Sequence, residues 1–291
     1  MKLLRSTPSS ELKRVGWMIV AMFSFAVEDA LLKAVLAQLP VAQVLIMFGT
    51  GGVLGFCAMA SLNRSQIVTP GLFSRPMVIR SICEVSARLF HVMALAVVPL
   101  SLVTAILQAA PVLVVAGCAV IFHERVGLLK WTAILLSLVG VGFLLRLDGS
   151  QSSAWVFLAI LGMLGTVGRD IAARALPHGL SGGTIGIFGF LATAFAGMLA
   201  GLWEQQPFVL PDLRTILALL AAVSVGMLAY AGLTRATRAG PAAIVTPFRY
   251  TRLIFGLAIG FAIFGETITL SSLLGCGLIL LSGIVVLSKA D

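Results

Sequence analysis

Charge is scarce in this sequence: only 11% of its 291 residues are Asp, Glu, Lys or Arg, against roughly a quarter in a soluble globular domain. A chain so poor in charge cannot cover a water-facing surface, so lipid must solvate most of it. Cysteine is also sparse. All four (Cys57, Cys83, Cys118 and Cys276) fall inside apolar runs and read as small packing residues, not as a disulfide or zinc framework. The three histidines, His91, His123 and His178, lie in separate segments without His-x-x-x-His spacing, so no metal site is expected. No aspartate pair or nucleophile elbow stands in an apolar run, and there is no glycine-rich phosphate loop. These absences argue against an intramembrane enzyme and against direct use of ATP, and no cofactor is expected. No carbonyl filter loop or charged ring suggests an ion channel.

What the chain has is hydrophobicity: 59% of residues are apolar and the mean hydropathy is +1.09. A helix needs about 20 mostly apolar residues to cross the hydrocarbon core. Apolar runs predict about ten transmembrane helices, near 15–36, 41–62, 76–98, 99–122, 127–146, 153–175, 181–203, 213–233, 241–265 and 268–288. The runs are too long, and lack the period-2 alternation, for a β-barrel. The first run contains Glu28 and Asp29 with no small-residue cleavage site after it, unlike a signal peptide. With the N-terminus inside, Lys2, Arg5, Lys13, Arg14, Arg64, Arg75, Arg125, Lys130, Arg174, Arg235, Arg238 and Lys289 fall on the cytoplasmic side, and Arg146 and Arg214 oppose them. That asymmetry places both termini in the cytoplasm. The net charge of +9 is then a topology signal that calls for no nucleic-acid partner. Trp17, Trp131, Trp155 and Trp203 lie near span ends, as interface anchors do.

The sequence repeats itself. One shift lays Pro99 on Pro241, Val103 on Val245, Thr104 on Thr246, Glu124 on Glu266, Leu128 on Leu270 and Leu138 on Leu280. Two related halves, 1–148 and 149–291, follow. Each holds five helices, an odd number, so the copies must run oppositely through the bilayer. Inverted repeats of this kind build many secondary transporters, with the cargo site near the midplane where the halves meet. The fold expected is therefore an all-α membrane protein of two inverted five-helix repeats.

Ten spans, two five-helix halves and a Glu closing the fourth and ninth spans (His123-Glu124-Arg125 and Gly265-Glu266-Thr267) resemble the drug/metabolite transporter superfamily, EamA type. The segments Arg169-Asp170 with Arg174, and Phe248-Arg249-Tyr250-Thr251-Arg252, are similar to those of bacterial riboflavin or S-adenosylmethionine uptake members. The resemblance implies a carrier of a small metabolite in the inner membrane. Riboflavin-like cargo is its first implication; S-adenosylmethionine, an amino acid or an organic anion are alternatives.

Charges at mid-depth are costly unless they face a partner or a wet cavity. At 1.5 Å per residue, Arg249 and Arg252 lie roughly 12 and 16 Å beyond Pro241, Arg88 roughly 18 Å beyond Pro76, and Glu28 roughly 20 Å into the first span. Arg249 and Arg252 share a helix face, next to a kink expected at Pro247 and beside Tyr250. Guanidinium forks of this kind grip carboxylate or phosphate, or stack on planar rings. Glu84, Arg88 and His91 share a face of the third span, with an intrahelical Glu84–Arg88 pair expected. The candidate cargo-binding residues are thus Arg249, Arg252, Tyr250, Arg88, His91 and Glu28. Asp29, Glu84, Arg169 and Asp170 are candidates for coupling or gating. Glu28 and Asp29 point about 100° apart, so one is expected to face the cavity and the other to meet Lys33, four residues beyond Asp29. Arg169 and Asp170 are read either as an interfacial pair with Arg174 or as a gate. Glu124 and Glu266 are read as loop anchors. Gly51/Gly55 and Gly256/Gly260 have close-approach spacing; packing within the chain and packing across a homodimer are both open.

Overall fold

The protein was analysed as a computed structural model that describes residues 8–62, 71–122, 127–145, 153–177, 180–238, 245–267 and 269–288. The expectations for Lys2, Arg5, Arg64, His123, Glu124, Arg125, Arg146, His178, Pro241 and Lys289, and the boundary at 148, lie outside the described residues. In chain order the helices are α1 (Pro8–Leu36), α2 (Val41–Leu62), α3 (Arg75–Val97), α4 (Leu100–Leu107), α5 (Ala110–Ile121) and α6 (Leu128–Leu145). They continue as α7 (Ser153–Arg174), α8 (Gly182–Glu204), α9 (Leu213–Arg238), a 3-10 turn (Thr246–Tyr250), α10 (Thr251–Phe264) and α11 (Leu270–Ser288). No strand occurs among the described residues. α4 with α5 forms the fourth span, and the 3-10 turn with α10 forms the ninth, so the rods among the described residues number ten as expected. Five rods combine length with few charges: Val41–Leu62, Leu100–Ile121, Trp155–Arg174, Gly182–Glu204 and Leu213–Thr237. At 1.5 Å per residue, a 22-residue rod such as α2 is about 33 Å long, enough to cross a bilayer core. α1 begins earlier than expected, so Lys13 and Arg14 are helical, and α9 continues past 233 to Arg238.

Helix ends are satisfied locally. Ser181 accepts from the Thr184 amide at 3.0 Å to open α8, and Asp212 accepts from the Thr215 amide at 2.8 Å to open α9. The Thr215 hydrogen bonds hold the exposed Asp212 carboxyl below its ordinary range.

The halves are interlocked rather than side by side. α1 packs along α9, α3 along α7, α2 along α8 and α6 along α11, while contacts between helices of one half are slight. The repeat register puts α1 on α7 and α3 on α9, so the α1–α9 and α3–α7 contacts are one interaction made twice. The α2–α8 and α6–α11 pairs straddle the pseudo-twofold axis.

Two breaks meet at this axis. The fourth span is interrupted at Gln108 and Ala109, with Pro111 in the first turn of α5. In the repeat register these positions fall on Tyr250 and Thr251, where the 3-10 turn hands over to α10. Pro247 accordingly marks the expected irregularity in the ninth span, but the break at Gln108 was not anticipated. Proline at the start of a helical segment leaves preceding carbonyls without intrahelical donors. Across the axis, Gln108 Nε2 donates to the Arg249 carbonyl at 2.9 Å.

Small residues allow the close crossings, and they do so within the chain. Gly51 faces Val223, Gly55 faces Met227 and Gly256 faces Thr104. The tightest approach to another backbone is at Gly49 on α2, where an added Cβ would lie 2.4 Å from the Ala194 backbone nitrogen on α8. Gly49→Ala should therefore force two backbones apart, at a cost of about 1–3 kcal/mol. Gly142→Ala, with no atom within 4 Å of the new Cβ, should leave stability unchanged or slightly raised. Melting of the two purified variants in detergent checks the contrast.

Candidate functional site

α3 carries a polar stripe through an otherwise apolar protein: Arg80, Glu84, Arg88 and His91 recur at helical spacing on the side facing α1, α7 and α9. Glu84 is its hub. One oxygen accepts from Arg80 at 3.1 Å and the other from Arg169 at 3.3 Å, with Arg88 Nε at 3.7 Å. Arg88 itself bonds more closely to Glu28 of α1, at 2.9 Å. One turn further along α3, His91 Nε2 meets Asp29 at 3.0 Å. Asp29 also receives Arg252 of α10 at 2.5 Å. Asp170 on α7 accepts from Arg169 at 2.8 Å and from Arg249 at 3.2 Å. Four arginines and three carboxylates from α1, α3, α7 and the ninth span thus form one chain of ion pairs, and Asp29 with His91 and Arg252 forms a second cluster beside it, so each charge is partnered away from water. In the repeat register Glu28 coincides with Asp170, which places one acid of the network on the first helix of each half.

Several sequence expectations are corrected by these partners. Asp29 does not meet Lys33. Lys33 Nζ instead donates to the carbonyls of Leu95 and Val98 at 3.1 and 2.6 Å. Both adjacent carboxylates are paired, because Arg88 and His91 reach α1 from one side and Arg252 from the other. Arg169 and Asp170 pair with Glu84 and Arg249, not with Arg174. The intrahelical Glu84–Arg88 contact exists but is the longest of the set.

Beside the network lies a cavity of about 970 Å³. Arg88, His91, Arg249, Tyr250 and Arg252 line it, together with Arg169 and Asp170. Glu28 and Asp29 do not; they stand behind the arginines. Sequence reasoning missed Arg80, Gln108 and Tyr230, which also line the cavity. Arg80 Nη2 donates to the Tyr230 hydroxyl at 2.8 Å. The four-residue spacing of Arg80 to Glu84 was a usable signal for the first of these. The cavity runs from the broken helices to Arg174, Pro177 and Thr237, near the ends of α7 and α9 and on the same face as the start of α1.

Its charge is one-sided. Side chains of Glu28, Asp29 and Glu84 are 0–1% exposed, whereas those of Arg88, Arg169, Arg249 and Arg252 are 14–26% exposed. Asp170, at 19%, is the carboxylate of the network with appreciable exposure. Two buried guanidinium nitrogens, Arg80 Nη1 and Arg252 Nε, have no hydrogen-bond partner, nor has His91 Nδ1. Arg252 lies over the Phe25 ring, 5.1 Å from its centroid. The surface offered to a bound molecule is therefore cationic, with an aromatic wall.

The opposite face is held by helix-end caps, two of which cross between the halves. Glu266 accepts from the Leu100 and Ser101 amides, at 2.5 and 2.9 Å, at the start of α4. Glu204 accepts from the Val41 and Ala42 amides, at 3.2 and 3.0 Å, at the start of α2. Lys33 caps the end of α3. Carboxylates at helix N-termini and an ammonium at a C-terminus match the helix dipoles. Glu266 thus anchors a loop as expected, but the loop of the other half.

The EamA-like transporter family profile matches residues 12–146 and 153–288. The chain is 27% identical over 277 residues to the pseudopaline exporter CntI of Pseudomonas aeruginosa, covering 93% of this chain and 94% of that protein. It is 30% identical over 202 residues to an uncharacterized transporter of Helicobacter pylori, covering 65% of each. A solved structure described only as a crystal structure of a protein superposes with a TM-score of 0.65. Its identity is 17%, and the match covers 96% of this chain and 98% of that one; it speaks for the fold alone.

Two outcomes follow from the pairing. Glu84→Gln leaves Arg80, Arg88 and Arg169 without their common carboxylate and should cost about 3–5 kcal/mol, read as a lowered melting temperature in detergent. Glu266→Gln removes the charge at the start of α4, at about 1 kcal/mol. A cysteine replacing Ser101 should then react faster with an impermeant maleimide added on that face. Unchanged labelling would mean that the cap does not hold that face shut.

Proposed function

The chain belongs to the EamA-like transporter family, and from that membership we propose that it carries a small organic acid out of the cell across the inner membrane. The observation that carries this reading is the concealment of Glu28, Asp29 and Glu84 behind arginines that remain open to the cavity. A carboxylate entering there meets Arg249, Arg252 and Arg88 as ready donors, all lining the cavity. Asp170 is placed to receive an ammonium group, so an amino-acid-like zwitterion with surplus carboxylates fits best. The aromatic wall at Phe25 and Tyr250 accommodates an apolar or planar portion.

Orientation follows from the basic residues. Lys13, Arg14, Arg75, Arg174 and Arg235 lie toward the face on which the cavity opens, which makes that face cytoplasmic by the positive-inside rule. The conformation is then inward-open, with the Glu266, Glu204 and Lys33 caps closing the periplasmic side. Rocking of the interlocked halves about the two helix breaks would exchange the closed face for the open one. An interior-negative potential favours efflux of a net anion by about 2.3 kcal/mol per charge per 100 mV, and the Pseudomonas relative is named as an exporter. The relatives' names mention neither riboflavin nor S-adenosylmethionine, so an organic acid takes precedence over both as cargo.

The test is thermal shift of the purified protein with citrate, 2-oxoglutarate, glutamate, histidine, riboflavin and S-adenosylmethionine. Efflux of the best ligand from proteoliposomes follows. A carboxylate ligand should stabilise the protein saturably. Arg249→Ala should weaken its binding roughly 10- to 100-fold, as expected for a lost charge-assisted hydrogen bond of about 1.5–3 kcal/mol. Stabilisation by riboflavin or S-adenosylmethionine alone would overturn the organic-acid reading.

A further inference from the structure

Glu28 differs from the other acids of the network. It is fully buried, and only one of its oxygens is used: Oε1 accepts from Arg88 Nη1 at 2.9 Å, while Oε2 has no partner. Oε2 faces Gly226 of α9, beside the ring of Phe48 from α2; these two helices bring no charge to it. The charged groups around it are Asp29 on its own helix, Arg88 on α3 and Arg252 on α10. Arg252 is committed to Asp29, and so is His91. Arg88 is therefore the one cation in direct contact with Glu28 among the described residues.

Arg88 has a second allegiance. Its side chain reaches the cavity and also approaches Glu84. The two acids depend on it unequally. If Arg88 turns toward an anion in the cavity, Glu84 keeps Arg80 and Arg169, but Glu28 is left as a bare carboxylate in an apolar enclosure. An uncompensated buried charge of that kind is strongly disfavoured, and protonation removes it. Movement of Arg88 also opens the route by which a proton from cavity water reaches Glu28.

We propose that Glu28 is a proton-binding site controlled by Arg88: an organic anion that draws Arg88 into the cavity is bound together with one proton on Glu28. The proton adds to Oε2, the oxygen without a partner, and no other bond is made or broken. The inference rests on the organic-acid reading above and extends it to an ion that travels with the cargo. Linkage makes the effect reciprocal, so protonation of Glu28 frees Arg88 and raises affinity for the anion. Glu28 acts through Arg88 and does not touch the cargo.

The experiment is calorimetric titration of the purified protein with citrate near neutral pH, in two buffers of different ionisation enthalpy. This yields the protons taken up per anion bound. The wild type should take up a substantial fraction of one proton, with affinity rising by up to about tenfold per unit fall in pH. Glu28→Gln should bind citrate without that uptake, more tightly, and with affinity nearly flat over the same range. Citrate binding to the wild type without proton uptake, or equal uptake by Glu28→Gln, would overturn the proposal. A second measurement needs no cargo. Arg88→Gln imitates withdrawal of the arginine and should show the infrared carbonyl band of a protonated carboxyl that disappears in the Glu28→Gln/Arg88→Gln double variant. Absence of that band would overturn the control of Glu28 by Arg88. Failure of citrate and the other carboxylates to bind, with the band present, would instead count against the organic-acid reading alone.

Discussion

Five guanidiniums and four carboxylates cannot stand singly in a medium that does not solvate charge. Their mutual pairing is the condition on which the rest of this structure depends. Each pair costs desolvation that its Coulomb attraction only partly returns, so such a network is a poor source of stability. It survives because removing one member strands another. The network also draws α1, α3, α7 and the ninth span to one place, and it thereby locates the cavity beside the breaks in the fourth and ninth spans.

The interlocking of the halves follows from the same economy. Had each half packed on itself, the acids of α1 would lie far from the arginines of the ninth span. Crossing α1 onto α9 and α3 onto α7 places Glu28 and Asp170, which share one repeat position, on two sides of a common cluster. The close crossings require residues without bulk, and Gly49 against Ala194 is the clearest instance. The cross-half contacts are made twice under a pseudo-twofold relation, while the helix-end caps of Glu266, Glu204 and Lys33 gather on one face.

The site also separates its charges by depth. Glu28, Asp29 and Glu84 are hidden while Arg88, Arg169, Arg249 and Arg252 stay partly open, so a nearly balanced set of charges presents a basic surface. A ligand that binds there competes with the hidden acids for the same donors. Under the proposed function, binding and internal pairing are alternatives, and the electrostatics themselves supply a conformational response to cargo.

Much was legible in the sequence. Apolar runs of about 20 residues located the spans closely, because hydrocarbon thickness dictates run length. The matching Pro, Thr and Glu positions exposed the repeat, and an odd number of spans per half required inversion. Arg88, Arg249 and Arg252 stood out because charge is expensive at mid-depth. Choice of partner was a different matter. Asp29 had Lys33 one turn away, and Asp170 had Arg174, yet both acids pair across helices with Arg252 and Arg249. Arg80 and Tyr230, separated by 150 positions, gave no mutual signal. Periodicity and hydropathy act along the chain and reveal which residues must leave lipid. Which of them meet depends on helix rotation and crossing, and those are decided by packing between distant segments that only the tertiary structure brings together.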